Sequence, residues 1–279
     1  MREPLRIISD LHLGHPASLI EDATDLTPLL HGVSTLVFNG DTYETRYVQE
    51  REAGQKLLDN LRELCHASGV KPVFIGGNHD PSISPLCHLD LAGGAVLVTH
   101  GDMLFHDISP WSIEADLMRD AHVQALQALG EDAFHDFEKR LHANKQASLA
   151  LELLSVKLHR GFLARFILLL KECWPPSRPW RILKVWRDTP VFAEALARVF
   201  RPRARFIIVG HTHLQGIWRR GSRVIINTGS FTPPLGRLAI DLEGDRLLVK
   251  KINRNGGRFE IGPQLAEFKA IQLQTHEGF

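Results

Sequence analysis

Short apolar runs that each end in a polar cluster recur along the chain. "LRIIS" leads to "DLH", "STLVF" to "NGD" and "PVFI" to "GGNHD". Further on, "AVLV" leads to "THGD", "RFIIV" to "GHTH" and "RVIIN" to "TGS". Continuous apolar runs of this length, bounded by turn residues, predict strands buried on both faces. Between several of them lie helical patterns such as residues 50–67. Strands alternating with helices predict an α/β sheet, whose functional groups collect at the carboxyl ends of strands. The polar clusters are therefore expected to converge on one edge. "RLAIDLEGDRLLVKKI" predicts a hairpin turned at Glu243-Gly244-Asp245.

The rhythm stops between residues 103 and 202, where helical periodicity takes over. "WPPSRPW" is expected to break a helix and "DTPVFAEALARVF" to resume one. The expected organisation is a core of residues 1–102 and 203–279, interrupted by a helical insert over 103–202. The C-terminal part of that core ends in the hairpin and a tail.

Composition adds little until its distribution is considered. The net charge of +1 names no partner. Cys65, Cys87 and Cys173 are an odd, widely spaced set, which fits reduced thiols better than a disulfide framework. The opening "MREPLRIISDLH" has no signal-like apolar segment, and "GFLARFILLL" is too short to span a bilayer. The expected location is cytoplasmic, with peripheral contact at the inner membrane face. Residues 102–138 hold nine acids and one arginine, whereas 139–205 hold fifteen Lys/Arg and four acids. Within 157–187, basic residues from Lys157 to Arg187 interleave with Phe162, Phe166, Trp174, Trp180 and Trp186. This mixture suits an anionic membrane surface. It also suits nucleic acid, the lesser expectation, and a plain solvated face is the bland alternative. Among the fifteen histidines, His66, His122, His135, His142 and His159 sit in polar helical patterns and read as surface residues.

The strand-end clusters supply Asp10, His12, Asp41, Asn78, His100, His211 and His213. Carboxylate, amide oxygen and neutral imidazole are all ligands of divalent transition ions. In extended chain, residues i and i+2 point the same way, so Asp10/His12 and His211/His213 form plausible pairs. Seven ligands exceed one tetrahedral site and suit two ions sharing a carboxylate. Such a pair activates a bridging hydroxide and neutralises a phosphoryl group. Mixed N/O ligation suits manganese, iron or zinc, with manganese favoured. Alone, "GD" is a turn and "DLH" says little. Five clusters in order, each behind a strand, say more.

These blocks resemble the calcineurin-like metallophosphoesterase superfamily: Asp10-Leu-His12, Gly40-Asp41, Gly77-Asn78-His79-Asp80, His100 and Gly210-His211-Thr212-His213. The resemblance implies a four-layer α/β/β/α sandwich. It implies one metal on Asp10, His12, Asp41 and His213, and another on Asp41, Asn78, His100 and His211. It gives His79 the role of touching the phosphate and protonating the leaving oxygen, with Asp80 orienting its ring. "GDTYE", "HGDMLFHD" and "NTGSF" resemble the UDP-2,3-diacylglucosamine pyrophosphatase branch, marking Glu44 and Asp107 as candidate substrate contacts. That branch typically has arginine where His79 stands. Asp107 reads equally as a helix N-cap for Ile108 onward.

The expected activity is therefore metal-dependent hydrolysis of a phosphate ester or pyrophosphate, on a small phosphate compound or a lipid-linked nucleoside diphosphate. The alternatives are a cyclic-nucleotide phosphodiesterase or nuclease of the same superfamily and, from another class, a non-catalytic scaffold. A scaffold is expected to have lost ligands, and none is missing. Oligomeric state leaves no trace in the sequence.

Overall fold

The computed structural model describes residues 1–46, 48–112, 114–152 and 177–269. The predicted strands form two sheets, as the resemblance implies. In the first sheet, β1 (Leu5–Ile8), β2 (Thr35–Asn39) and β3 (Lys71–Ile75) run parallel. It continues antiparallel through β9 (Leu238–Glu243), β10 (Arg246–Asn255) and β11 (Arg258–Phe268), in the order β11-β10-β9-β1-β2-β3. The second sheet has β5 (Val96–Thr99), β6 (Phe206–Val209) and β8 (Arg223–Asn227) in parallel. The antiparallel edge strands β4 (His88–Leu91) and β7 (Gly216–Arg220) close it, in the order β4-β5-β6-β8-β7. The hairpin at Gly244 forms as expected between β9 and β10.

Strand periodicity explains the layers. Ile7, Val37 and Ile75 on one sheet face Val96, Val98, Phe206, Ile208, Val224 and Ile226 on the other, forming the inner core. Their neighbours Ile8, Leu36 and Phe38 point outward, against Leu58, Leu61 and Cys65 of α1 (Val48–Ala67). Leu97, Ile207, Val209 and Ile225 point outward from the second sheet. They meet Phe137 and Leu141 of α3 (Phe137–Glu152) and Ala193, Leu196 and Ala197 of α4 (Ser177–Phe200). This is the expected α/β/β/α sandwich. Full burial of each large aliphatic contributes about 1.5–3 kcal/mol, and the alternation sets which layer receives it.

Two expectations need correction. The chain is helical from Ser177 through Pro190 to Phe200, so the helix does not wait for "DTPVF" to begin. A proline here leaves only the Trp186 carbonyl without its helical donor. His122 is buried (2% exposed) in α2 (Ala115–Ala128), where Nδ1 meets the His106 carbonyl at 3.3 Å, rather than lying at the surface. His66, His135 and His142 are exposed as expected, and His159 lies outside the described residues. Cys65 is buried and Cys87 half-buried, both free thiols, while Cys173 also lies outside the described residues. Among the described residues, no helix is long and apolar enough to cross a membrane.

Candidate metal centre

The carboxyl ends of β1, β2, β3, β5 and β6 meet where the two sheets lie side by side. Each strand ends in a tight turn. Asp10, His12, Asp41, His211 and His213 all have φ between 50° and 67°. Left-handed backbone is uncommon for residues other than glycine and costs on the order of 1 kcal/mol or more per residue. Five such residues in one cleft mark a functional site.

The glycines of the motifs permit close approach. A Cβ on Gly77 would collide with Asp41, and one on Gly210 would collide with the Asp10 carboxylate.

Besides His12, Glu44 and His79, whose ligand atoms also lie close together, two groups of side chains converge here. In the first, the Nε2 atoms of His12 and His213 lie 3.1 Å apart. Asp10 Oδ1 stands 3.4 Å from His213 and 4.0 Å from His12. In the second, His100 Nε2 lies 3.3 Å from Asn78 Oδ1 and 3.2 Å from Asp41 Oδ2, with His211 beside it. Asp41 joins the groups, since its Oδ2 is also 3.9 Å from His12 Nε2. Its other oxygen accepts the His79 backbone N–H at 2.8 Å, which leaves Oδ2 to face both groups.

The residues around the ligands orient them. His100 Nδ1 donates to the Asn39 carbonyl at 2.9 Å, which turns its Nε2 toward Asp41 and Asn78. His211 Nε2 donates to the Ile108 carbonyl at 2.7 Å, leaving a buried Nδ1 with no hydrogen-bond partner. His213 Nδ1 meets Thr232 Oγ1 at 3.3 Å. Asp10 takes the His211 backbone N–H and the Ser9 hydroxyl, while Ser230 reaches its carbonyl. "NTGS" thus braces the centre. Asn227 Nδ2 donates to the Gly210 carbonyl and to Thr212 Oγ1, and Thr228 Oγ1 contacts Ser9.

Burial first, and the facing His79 imidazole second, hold His12 well below its usual pKa. Burial and the neighbouring His100 do the same for His211. Both are thus neutral, the form that ligates metal. Burial also opposes charge on Asp41 and His100, but each overrides this for the other. Asp41 is held well below, and His100 well above, its usual value. An orphaned imidazole nitrogen, two imidazoles facing one carboxylate and a carboxylate oxygen shared between two clusters fit a pair of divalent ions.

This geometry and the matching sequence profile, that of calcineurin-like phosphoesterases over residues 4–215, coincide. The chain belongs to the calcineurin-like phosphoesterase family. No curated protein matches it. Solved structures resemble it in fold. One is a conserved uncharacterized protein, a predicted phosphoesterase, from Streptococcus pneumoniae TIGR4. It is 15% identical with TM-score 0.39, covering 96% of this chain and 99% of that one. A dimetal phosphatase from Danio rerio is also 15% identical, with TM-score 0.41, covering 93% and 99%. Vacuolar protein sorting 29 from Entamoeba histolytica, complexed with zinc, is 14% identical with TM-score 0.42, covering 95% and 98%.

In this family member the fourth motif residue does not do what its position suggests. Asp80 does not orient His79. Its carboxylate turns under the loop and accepts the backbone N–H groups of Asp41, Thr42 and Gly77 at 3.1, 2.7 and 2.8 Å. Burial and the charge of Asp41 push it up to about 7. Its work is to tie two ligand loops together.

The partner of His79 is Glu44, whose Oε2 lies 2.8 Å from His79 Nδ1. Glu44 is fully buried, with its carboxylate on His79 Nδ1 and on the Arg46 backbone N–H. Burial opposes its charge, yet the facing imidazole outweighs burial and holds the carboxyl below its usual value. Asp107 starts no helix, since α2 begins at Ala115. It pairs with Arg119 at 3.6 Å.

Three contacts went unread in the sequence. Ser109 Oγ lies 3.4 Å from Asn78 Nδ2. The Trp111 ring lies 5.0 Å from that of His211. The Trp186 indole donates to the Thr212 carbonyl at 2.9 Å. None belongs to a motif. Only the presence of large aromatics in the insert hinted at them.

Proposed function

We propose that the chain hydrolyses a phosphate ester or anhydride at two divalent ions, manganese being the favoured metal. Asp10, His12, Asp41 and His213 would hold one, and Asp41, Asn78, His100 and His211 the other. The observation that carries this reading is Asp41, with one oxygen tied to backbone and the other facing both clusters. When bound, such a pair makes a nucleophile from water at neutral pH and neutralises phosphoryl oxygens. The chain's own residues supply the rest. Glu44 accepts the Nδ1–H of His79, and in the imidazolium form that this carboxylate pairs with, the Nε2–H of a ring 19% exposed is the donor to the leaving oxygen. Asp80 keeps the loops of Asp41 and His79 in register. A scaffold without catalysis has no use for a partly exposed His79 held by a buried Glu44 beside a full candidate ligand set.

For the substrate, we favour an anionic amphiphile bearing a phosphate or diphosphate, such as a UDP-diacylglucosamine-like molecule, met at an anionic membrane surface. The support is the outer face of α4. Trp180 is 74% and Leu183 50% exposed, next to exposed Arg181, Lys184 and Arg187. Arg178 and Trp186 do not share that face. Helical spacing turns them inward, Arg178 being 7% exposed. Residues 157–176 of the basic stretch lie outside the described residues.

The test compares bis(p-nitrophenyl) phosphate with a diphosphate-linked lipid in phosphatidylglycerol vesicles. Manganese-loaded protein should hydrolyse both, and metal-stripped protein neither. Arg181, Lys184 and Arg187 together changed to Glu should spare the soluble ester. Each basic residue near such a surface contributes about 1 kcal/mol, so vesicle binding should fall on the order of a hundredfold. Metal-independent hydrolysis would overturn the chemistry. Unchanged vesicle binding would overturn the membrane reading alone.

A further inference from the structure

We propose that the loop opening the helical insert, residues 105–112, is part of the metal centre and positions the ligands that serve only the second ion. This rests on the dinuclear reading above. The second ion's own ligands are Asn78, His100 and His211. His100 is set by the core through Asn39. The other two are held from the insert: the Ile108 carbonyl fixes His211 at 2.7 Å and Ser109 Oγ contacts Asn78. Trp111 covers the His211 ring. The first ion's ligands take their support from the core instead, Asp10 from Ser9 and Ser230, His213 from Thr232.

The loop is built for this placement. Ile108 has φ of 56°, a conformation that a β-branched residue avoids unless its surroundings impose it. Its side chain is fully buried and packs with Met118 of α2 and Ala147 of α3. The same residue therefore has its side chain locked between two insert helices and its carbonyl on a metal-ligating imidazole. Packing of the insert and capture of the second ion become one linked equilibrium. Linkage is reciprocal: the ion tightens the insert as the insert tightens the ion. Outer contacts of this kind typically change metal affinity by 10–100-fold.

Two measurements test this on the full chain. The metal-stripped protein is titrated calorimetrically with manganese. Ser109→Ala combined with Trp111→Ala should weaken the second ion by about 10–100-fold and leave the first unchanged. Loss at both sites alike, at the first only, or at neither overturns the inference. Should the double variant not fold, hydrogen exchange on the wild type decides. The second equivalent of manganese, and not the first, should raise protection across residues 105–152. Protection indifferent to the second equivalent overturns the inference. Wild-type protein that binds fewer than two ions overturns the dinuclear reading itself, and the inference with it.

Discussion

Asp41→Asn is expected to empty both metal sites and remove activity. One Asp41 oxygen faces both clusters, so one substitution withdraws charge from two cations. The fold should survive. An asparagine side chain is nearly isosteric, and its oxygen can still accept the His79 backbone N–H now taken by Oδ1. His100 would lose the carboxylate that now raises its proton affinity. A bound ion supplies several kcal/mol of transition-state charge stabilisation, so turnover should drop by on the order of a thousandfold or more. Elemental analysis of the purified variant, beside its hydrolysis rate, provides the check. Two retained ions with near-normal turnover would remove Asp41 from the bridging position.

His79→Ala should separate chemistry from metal binding. Both ions should remain, because in the proposed arrangement His79 holds neither ion and its backbone N–H to Asp41 is kept. Turnover should fall by about 10²–10⁴-fold, the usual scale for losing a positioned acid. The loss should shrink for nitrophenyl esters, whose leaving oxygen needs little protonation. Glu44→Gln should give a milder loss, about tenfold, as expected for the group behind the imidazole. Rates across a series of leaving groups decide the role. A loss independent of leaving group would mean that His79 stabilises phosphoryl charge and donates no proton.

Much of the fold was legible because strand burial writes itself plainly. Runs such as "RFIIV" alternate between two hydrophobic layers, and each ends in residues that no core would accept. The candidate ligands that the fold gathers in one cleft were legible for the same reason. The division into two sheets came only through the family resemblance, since nothing local distinguishes β3 from β5. The role of Asp80 misled through adjacency. In a tight turn neighbouring side chains diverge, so Asp80 finds backbone N–H groups while His79 finds Glu44, thirty-five residues away. The Ile108 carbonyl left no mark, because any residue carries one. His122 and Arg178 show the limit of composition alone. Polar residues in helical patterns read as surface, and here packing carries them inward.

Two ions sharing Asp41 would be seen directly in a metal-loaded crystal. Crystals of the wild-type protein grown with manganese, measured at the manganese absorption edge, test it most directly. Two anomalous peaks are expected roughly 3.5–4 Å apart, one beside His12 and His213, the other beside His100 and His211, with Asp41 Oδ2 between them. A single peak, or two peaks with Asp41 bound to only one, would contradict it.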